Sequence, residues 1–266
     1  MGNVLDCAAE PPTSGEGKEI DTATSFGVGE SNEEEQQERN LRGLSDLECL
    51  QRSVRLSDSD CILWKLQKDF YKDVGPQAWT EGIVPNYVSS NSFIAQCYAK
   101  VILEFANEWY TGKIDGQPDM SEPIYILELG AGSGKFSFLL VTQLLQLCEY
   151  FPANLDTALR GFPFRVVVTD VARKNLEFWF SHSKLKPLFD RGFLDAALLD
   201  AENIGEKIVL VSGKIISVET LKNPIVCIAN YVFNSLSHDA YRVQTDGFYV
   251  AECTISSSAK TFTNIK

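Results

Sequence analysis

The chain has 266 residues, a formal charge of −12, 44% hydrophobic residues and 23% charged residues. This composition fits a globular protein of one or two domains and offers no basic surface able to neutralise several phosphates, which argues against a nucleic-acid partner. No apolar run reaches the roughly 18 residues of a membrane helix, and there is no secretory signal, so a cytoplasmic protein without a transmembrane segment is expected.

The acidity is uneven. Residues 1–40 hold ten Asp/Glu against Lys18 and Arg39, leaving −4 for the remainder. Residues 1–42 are rich in Gly, Ser, Glu, Pro and Thr and predict a disordered acidic tail. At its start, Gly2 offers a site for myristate and Cys7 one for palmitate. Asp6 stands where Ser or Thr is required, and the acidic surroundings repel anionic lipid, which favours an unmodified tail. The seven cysteines form no C-x-x-C pair and no metal spacing, so reduced thiols and no metal site are expected. His182 and His238 read as surface or loop residues.

Residues 43–115 read as a helical N-terminal cap. Segments 41–50 and 56–71 carry apolar residues at helical spacing, Leu63, Leu66 and Phe70 among them. Ser57 and Asp58 are the capping candidates for the second helix. After a polar loop at 85–91, segment 92–109 predicts an amphipathic helix through Ile94, Tyr98, Val101, Ile102 and Phe105. Trp64, Trp79 and Trp109 read as core packing. A polar linker at 112–123 then leads into the main domain, 116–266.

That domain opens with Ile-Tyr-Ile-Leu-Glu-Leu-Gly-Ala-Gly-Ser-Gly-Lys-Phe, residues 124–136. A β-branched run predicts a buried parallel strand, Gly130, Gly132 and Gly134 a tight turn, and 136–151 a helix. Such a turn brings backbone close to a ligand, and the glycines are read as serving that approach rather than packing. A P-loop needs four residues between its first Gly and its Gly-Lys pair, then Ser or Thr; here there are three, and Phe136 follows Lys135. The dinucleotide fingerprint needs a small residue where Lys135 stands and an acidic residue nearer than Asp170.

Three more core strands are predicted, at 164–169, 194–199 and 225–229, the last three ending near Asp170, Asp200 and Asn230. Asp170 is also a capping candidate for a helix at 171–180. Segment 207–217 reads as a small hairpin around Ser212-Gly213, 233–240 as a short helix, and 242–254 as a hairpin turning at 245–247.

Glu128-Leu-Gly-Ala-Gly-Ser-Gly134 closely resembles the first motif of class I S-adenosylmethionine-dependent methyltransferases. The stretch Ala229-Asn-Tyr-Val-Phe-Asn-Ser-Leu236, followed by a hairpin, is most similar to the MidA-like group, whose segment reads Ala-Asn-Glu-Phe-Phe-Asp-Ala-Leu-Pro. Tyr231 and Asn234 replace that group's two acidic residues, so a guanidinium substrate would not be held in the same way. The resemblance implies a Rossmann-like α/β methyltransferase with S-adenosyl-L-methionine as cofactor and a protein or small-molecule methyl acceptor. It implies that Glu128 and the turn of Gly130, Ala131, Gly132 and Gly134 hold the methionine part. Asp170 would hold the ribose, and Asp200 with Ala201 the adenine. Asn230 would border both the cofactor and the acceptor, with Tyr231 beside it as the second catalytic candidate. Ser90 and Asn91 would close over the site from the cap.

Methyl transfer from a sulfonium relies on positioning and needs no His or Cys dyad. The alternatives are a catalytically silent methyltransferase-like binding module and, less well matched, an NAD-dependent oxidoreductase. Four core strands are fewer than the seven that the resemblance implies, and 256–266 is too polar to supply more. A sheet incomplete on its C-terminal side, with weak or absent activity, is therefore expected.

Overall fold

The computed structural model describes residues 47–148 and 162–258. The expected tail at 1–42, with Gly2 and Cys7, lies outside the described residues, as does the end of the helix predicted over 136–151. One compact unit spans Cys49–Ser257; a second, Met1–Glu48 with Ser258–Lys266, falls almost wholly outside the described residues.

The first described element is a strand, β1 (Leu47–Arg55), where the spacing predicts a helix over 41–50. It pairs with β10 (Glu252–Ser258), and such long-range pairing overrides local propensity. Helix α1 (Ile62–Val74) follows and ends at Gly75, whose φ is +62°. Neither Ser57 nor Asp58 caps it. Gln51 of β1 does so from a distance, its Oε1 accepting from Ile62 N at 2.8 Å. After a short helix α2 (Gln77–Thr80), Asn91 caps α3 (Ser92–Tyr110) by accepting from Ile94 N at 3.0 Å. The buried line of α3 is Ala95, Ala99, Ile102, Ala106 and Trp109, while Val101 is exposed. Small residues four apart let α3 lie close against α4 (Lys135–Cys148).

The core is a mixed α/β arrangement on a four-stranded parallel sheet of β2 (Ile124–Glu128), β3 (Phe164–Asp170), β4 (Leu194–Leu198) and β7 (Ile225–Ile228). The strand order is β4-β3-β2-β7. These are the four core strands expected from the sequence. The crossovers carry α4, α5 (Arg173–Ser181) and α6 (Lys186–Asp190), whose apolar residues join α3 on the face of Ile126, Val166, Val168 and Ala196. The return from β4 to β7 covers the other face. There Ile208 of β5 (Lys207–Val209) and Ile216 of β6 (Ile215–Ser217) pack on Tyr125, Leu127 and Val167. This is the predicted small hairpin, with Ile208 opposite Ile216.

The strand order therefore reverses between β2 and β7. Right-handed crossovers force successive connections onto opposite faces at such a point and leave a crevice at the strand ends. Beyond β7 no further strand joins the sheet among the described residues, and Ile225 and Cys227 are exposed there. The predicted helix at 233–240 is a single 3-10 turn, Phe233–Ser235, and the predicted hairpin is β8 (Tyr241–Gln244) with β9 (Gly247–Val250). Among the described residues, no helix is long and apolar enough to cross a membrane.

Candidate functional site at the strand ends

The glycine turn joins β2 to α4 through three left-handed residues: Gly130, Gly132 and Gly134 have φ of +60°, +56° and +70°. A side chain is disfavoured at each by backbone sterics alone. The turn is also closely packed, contrary to the expectation from sequence. A Cβ on Gly132 would lie 2.8 Å from the Trp79 ring, and one on Gly130 would lie 2.9 Å from Val232 Cγ2. One on Gly134 would lie 3.1 Å from Leu185 and Trp179. The Trp179 indole donates to Gly132 O at 2.9 Å, and Ala131 N donates to Thr169 O at 2.8 Å. The glycines thus set the turn's conformation and admit aromatic neighbours.

Two carboxylates flank the turn. Glu128 closes β2, is 4% exposed, and accepts from the Ser137 hydroxyl through Oε2. Burial pushes its pKa up to about 8; the Ser137 hydrogen bond opposes the shift and the charge of Asp170 adds to it. Asp170 closes β3, with Oδ2 accepting from Gly132 N at 3.0 Å and Oδ1 from Ala172 N at 2.9 Å. Burial raises its pKa against the pull of those N–H groups. It does not cap α5 through a side-chain bond at the cap position, which Ala172 occupies. It braces the turn against the start of that helix instead. Asp170→Ala leaves the N–H groups of Gly132 and Ala172 without their partner and should cost about 1–3 kcal/mol of stability, read from a denaturant midpoint. An unchanged midpoint would show that the brace is unimportant.

The third acidic position is engaged from the cap. Lys68 of α1 donates to Asp200 Oδ2 at 2.9 Å and to Glu202 Oε2 at 3.0 Å. Burial works to raise the Asp200 pKa, but the Lys68 hydrogen bond, the Glu202 N–H and the nearby positive charge outweigh it and hold the carboxyl below its ordinary value. Glu202 is itself fixed, Oε1 accepting from Ser237 N at 2.6 Å.

Beyond β7, Asn230 Oδ1 accepts from the Tyr98 hydroxyl at 2.8 Å, and its Nδ2 is buried without a partner among the described residues. The Tyr98 ring meets Phe136 edge-on at 5.3 Å. Tyr231 follows with φ +55° and a largely exposed side chain. A left-handed non-glycine residue at a strand end is the kind of strain that accumulates at functional sites.

These elements enclose a cavity of about 780 Å³ at the ends of β2, β3, β4 and β7. Glu128, Gly130, Ala131 and Asp170 line it on one side. Asp200, Ala201, Asn230 and Tyr231 line it on another. Gly132 and Gly134 do not; their open faces are covered by Trp79 and Trp179. From the cap, Ser90 reaches the wall whereas Asn91 serves as the α3 cap.

The cap residues that matter most were not read from sequence. Trp64, Lys68 and Tyr71 lie four and three residues apart on one face of α1 and line the cavity, with Trp79 stacked on Tyr71 at 5.5 Å. The apolar spacing pointed instead to Leu63, Leu66 and Phe70, yet α1 has no buried residue, and Leu63 and Phe70 are exposed. The available signal was an aromatic-Lys-aromatic stripe at helical spacing. No protein-family model matches this chain, and no curated protein matches it.

Proposed function

We propose that this chain is an S-adenosylmethionine-dependent methyltransferase on a Rossmann-like class I sheet, acting on a protein side chain or a small molecule. The observation that carries the reading is one cavity at the reversal of strand order, walled by Glu128, Ala131, Asp170, Asp200 and Asn230. Its chemistry suits a ligand with an ammonium and a sulfonium. The wall carboxylates include Glu128, Asp170, Asp200 and Glu202, while Lys68 is held between two of them. A diphosphate would find Lys68 already paired with Asp200 and Glu202 there.

The cofactor supplies a methyl group already activated on its sulfonium. In this reading Glu128, once ionised, holds the ammonium beside the backbone of Gly130 and Ala131. Asp170 accepts from the ribose hydroxyls, and Asp200 accepts from the adenine amino group beside Ala201. Tyr231 and the backbone at Asn230 border the acceptor, so the contribution of these residues is orientation and exclusion of water.

A second reading, a silent binding module on the same fold, is favoured by the Asn230 amide, which is held by Tyr98 rather than turned free into the cavity. Calorimetry with S-adenosylmethionine, S-adenosylhomocysteine and NAD separates the classes. The first two should bind at micromolar affinity, about −8 kcal/mol, and NAD should not. Binding of NAD alone would overturn the proposal. Binding without methyl transfer to any protein or small-molecule extract, followed with tritiated cofactor, would favour the silent module.

A further inference from the structure

We infer that Lys68, on the cap helix, determines base specificity in this cavity by donating to a ring nitrogen of the purine whose amino group Asp200 accepts. This rests on the methyltransferase reading and adds a cap residue to the ligand site. An ammonium carries three donors and no acceptor. Two donors of Lys68 are engaged, one by Asp200 Oδ2 at 2.9 Å and one by Glu202 Oε2 at 3.0 Å. The third has no protein partner among the described residues, and Lys68, Asp200 and Glu202 all line the cavity. Asp200 keeps acceptor capacity as well, since Oδ1 takes one bond, from Glu202 N at 3.1 Å.

The cavity wall therefore presents a donor and an acceptor side by side. Adenine offers the complement, an amino donor next to a ring-nitrogen acceptor. Hypoxanthine and guanine offer the reverse, a carbonyl oxygen next to an N–H, which sets the carbonyl against the Asp200 carboxylate. Hydrogen-bond reversal of this kind discriminates more strongly than a change in size. Stability alone does not account for the arrangement. The side chains of Lys68 and Asp200 are each 32% exposed, and such pairs contribute little. The arrangement is nonetheless held in place, because Glu202 is anchored by Ser237 N at 2.6 Å.

The test is calorimetric titration of the full chain with S-adenosylhomocysteine, its 1-deaza analogue and its inosine counterpart. Wild type, Lys68→Met and Lys68→Arg are compared. The 1-deaza analogue should bind wild type about tenfold or more weakly, as for loss of one hydrogen bond to a charged group. Lys68→Met should lose a similar factor for the parent ligand and nothing further for the 1-deaza analogue, while Lys68→Arg should recover part of the loss. The inosine counterpart should bind wild type weakest of the three. The comparison is a ratio within each protein, so a lower melting temperature in Lys68→Met does not obscure it. Equal 1-deaza losses in wild type and Lys68→Met would overturn the inference and leave Lys68 a clamp between cap and sheet. Absence of S-adenosylhomocysteine binding by folded wild type would instead overturn the methyltransferase reading, and this inference with it.

Discussion

Gly132→Val should abolish ligand binding at the cavity and lower stability by about 2–5 kcal/mol, from left-handed strain together with overpacking. Gly132 has φ +56°, and the first atom of any side chain there would lie 2.8 Å from the Trp79 ring. Either Trp79 moves or the turn does. Trp79 stacks on Tyr71 and lines the cavity beside Gly130 and Ala131, so both movements deform the cavity wall that the proposed ligand would meet. The two contributions separate in a double variant. Trp79→Ala in the Gly132→Ala background relieves the clash but not the backbone strain, so it should restore part of the stability and little of the binding. The checks are denaturant midpoints and calorimetry with S-adenosylhomocysteine. A folded Gly132→Val variant with unchanged affinity would mean that the ligand does not use this turn.

The sheet was legible because each core strand is a run of β-branched or apolar residues that breaks at an acidic or amide residue. Glu128, Asp170, Asp200 and Asn230 follow from that pattern, and the fold brings all four to one cavity. The cap was not legible in the same way. Strand β1 pairs with β10, about two hundred positions away, and no local window contains that partner. In α3 the close packing depends on Ala95, Ala99 and Ala106, which weigh little in an apolar count beside the exposed Val101. Lys68 is a charge, and charges on a helix read as a solvated face until the carboxylates opposite are seen. Trp79 reads as core, and it does pack, but against a glycine at the site.

Glu128→Gln should separate stability from function. In the folded protein the carboxyl titrates at about 8 rather than near its ordinary value of 4.5, because burial penalises the charge. Below pH 4.5 folded and unfolded chains both hold the proton. Between 4.5 and 8 the unfolded chain releases it and the folded chain does not, so stability falls as pH rises, by up to about 1.4 kcal/mol per pH unit. Above 8 this contribution is flat. Glutamine has no proton to lose, so the variant should lack this slope and, near pH 7.5, should exceed wild type by up to about 4 kcal/mol. Ligand binding should move the other way. Holding an ammonium requires the ionised carboxyl, so wild-type affinity for S-adenosylhomocysteine should rise toward pH 8, up to about tenfold per unit, with release of a proton. Buffers of different ionisation enthalpy would detect that proton. In Glu128→Gln the affinity should be low and the dependence gone. On those outcomes a buried acid that destabilises the fold at neutral pH would be the group that holds the proposed ligand, a trade of stability against binding. Parallel pH slopes in wild type and variant, for stability or for affinity, would show that Glu128 is neither the titrating group nor the ligand's partner.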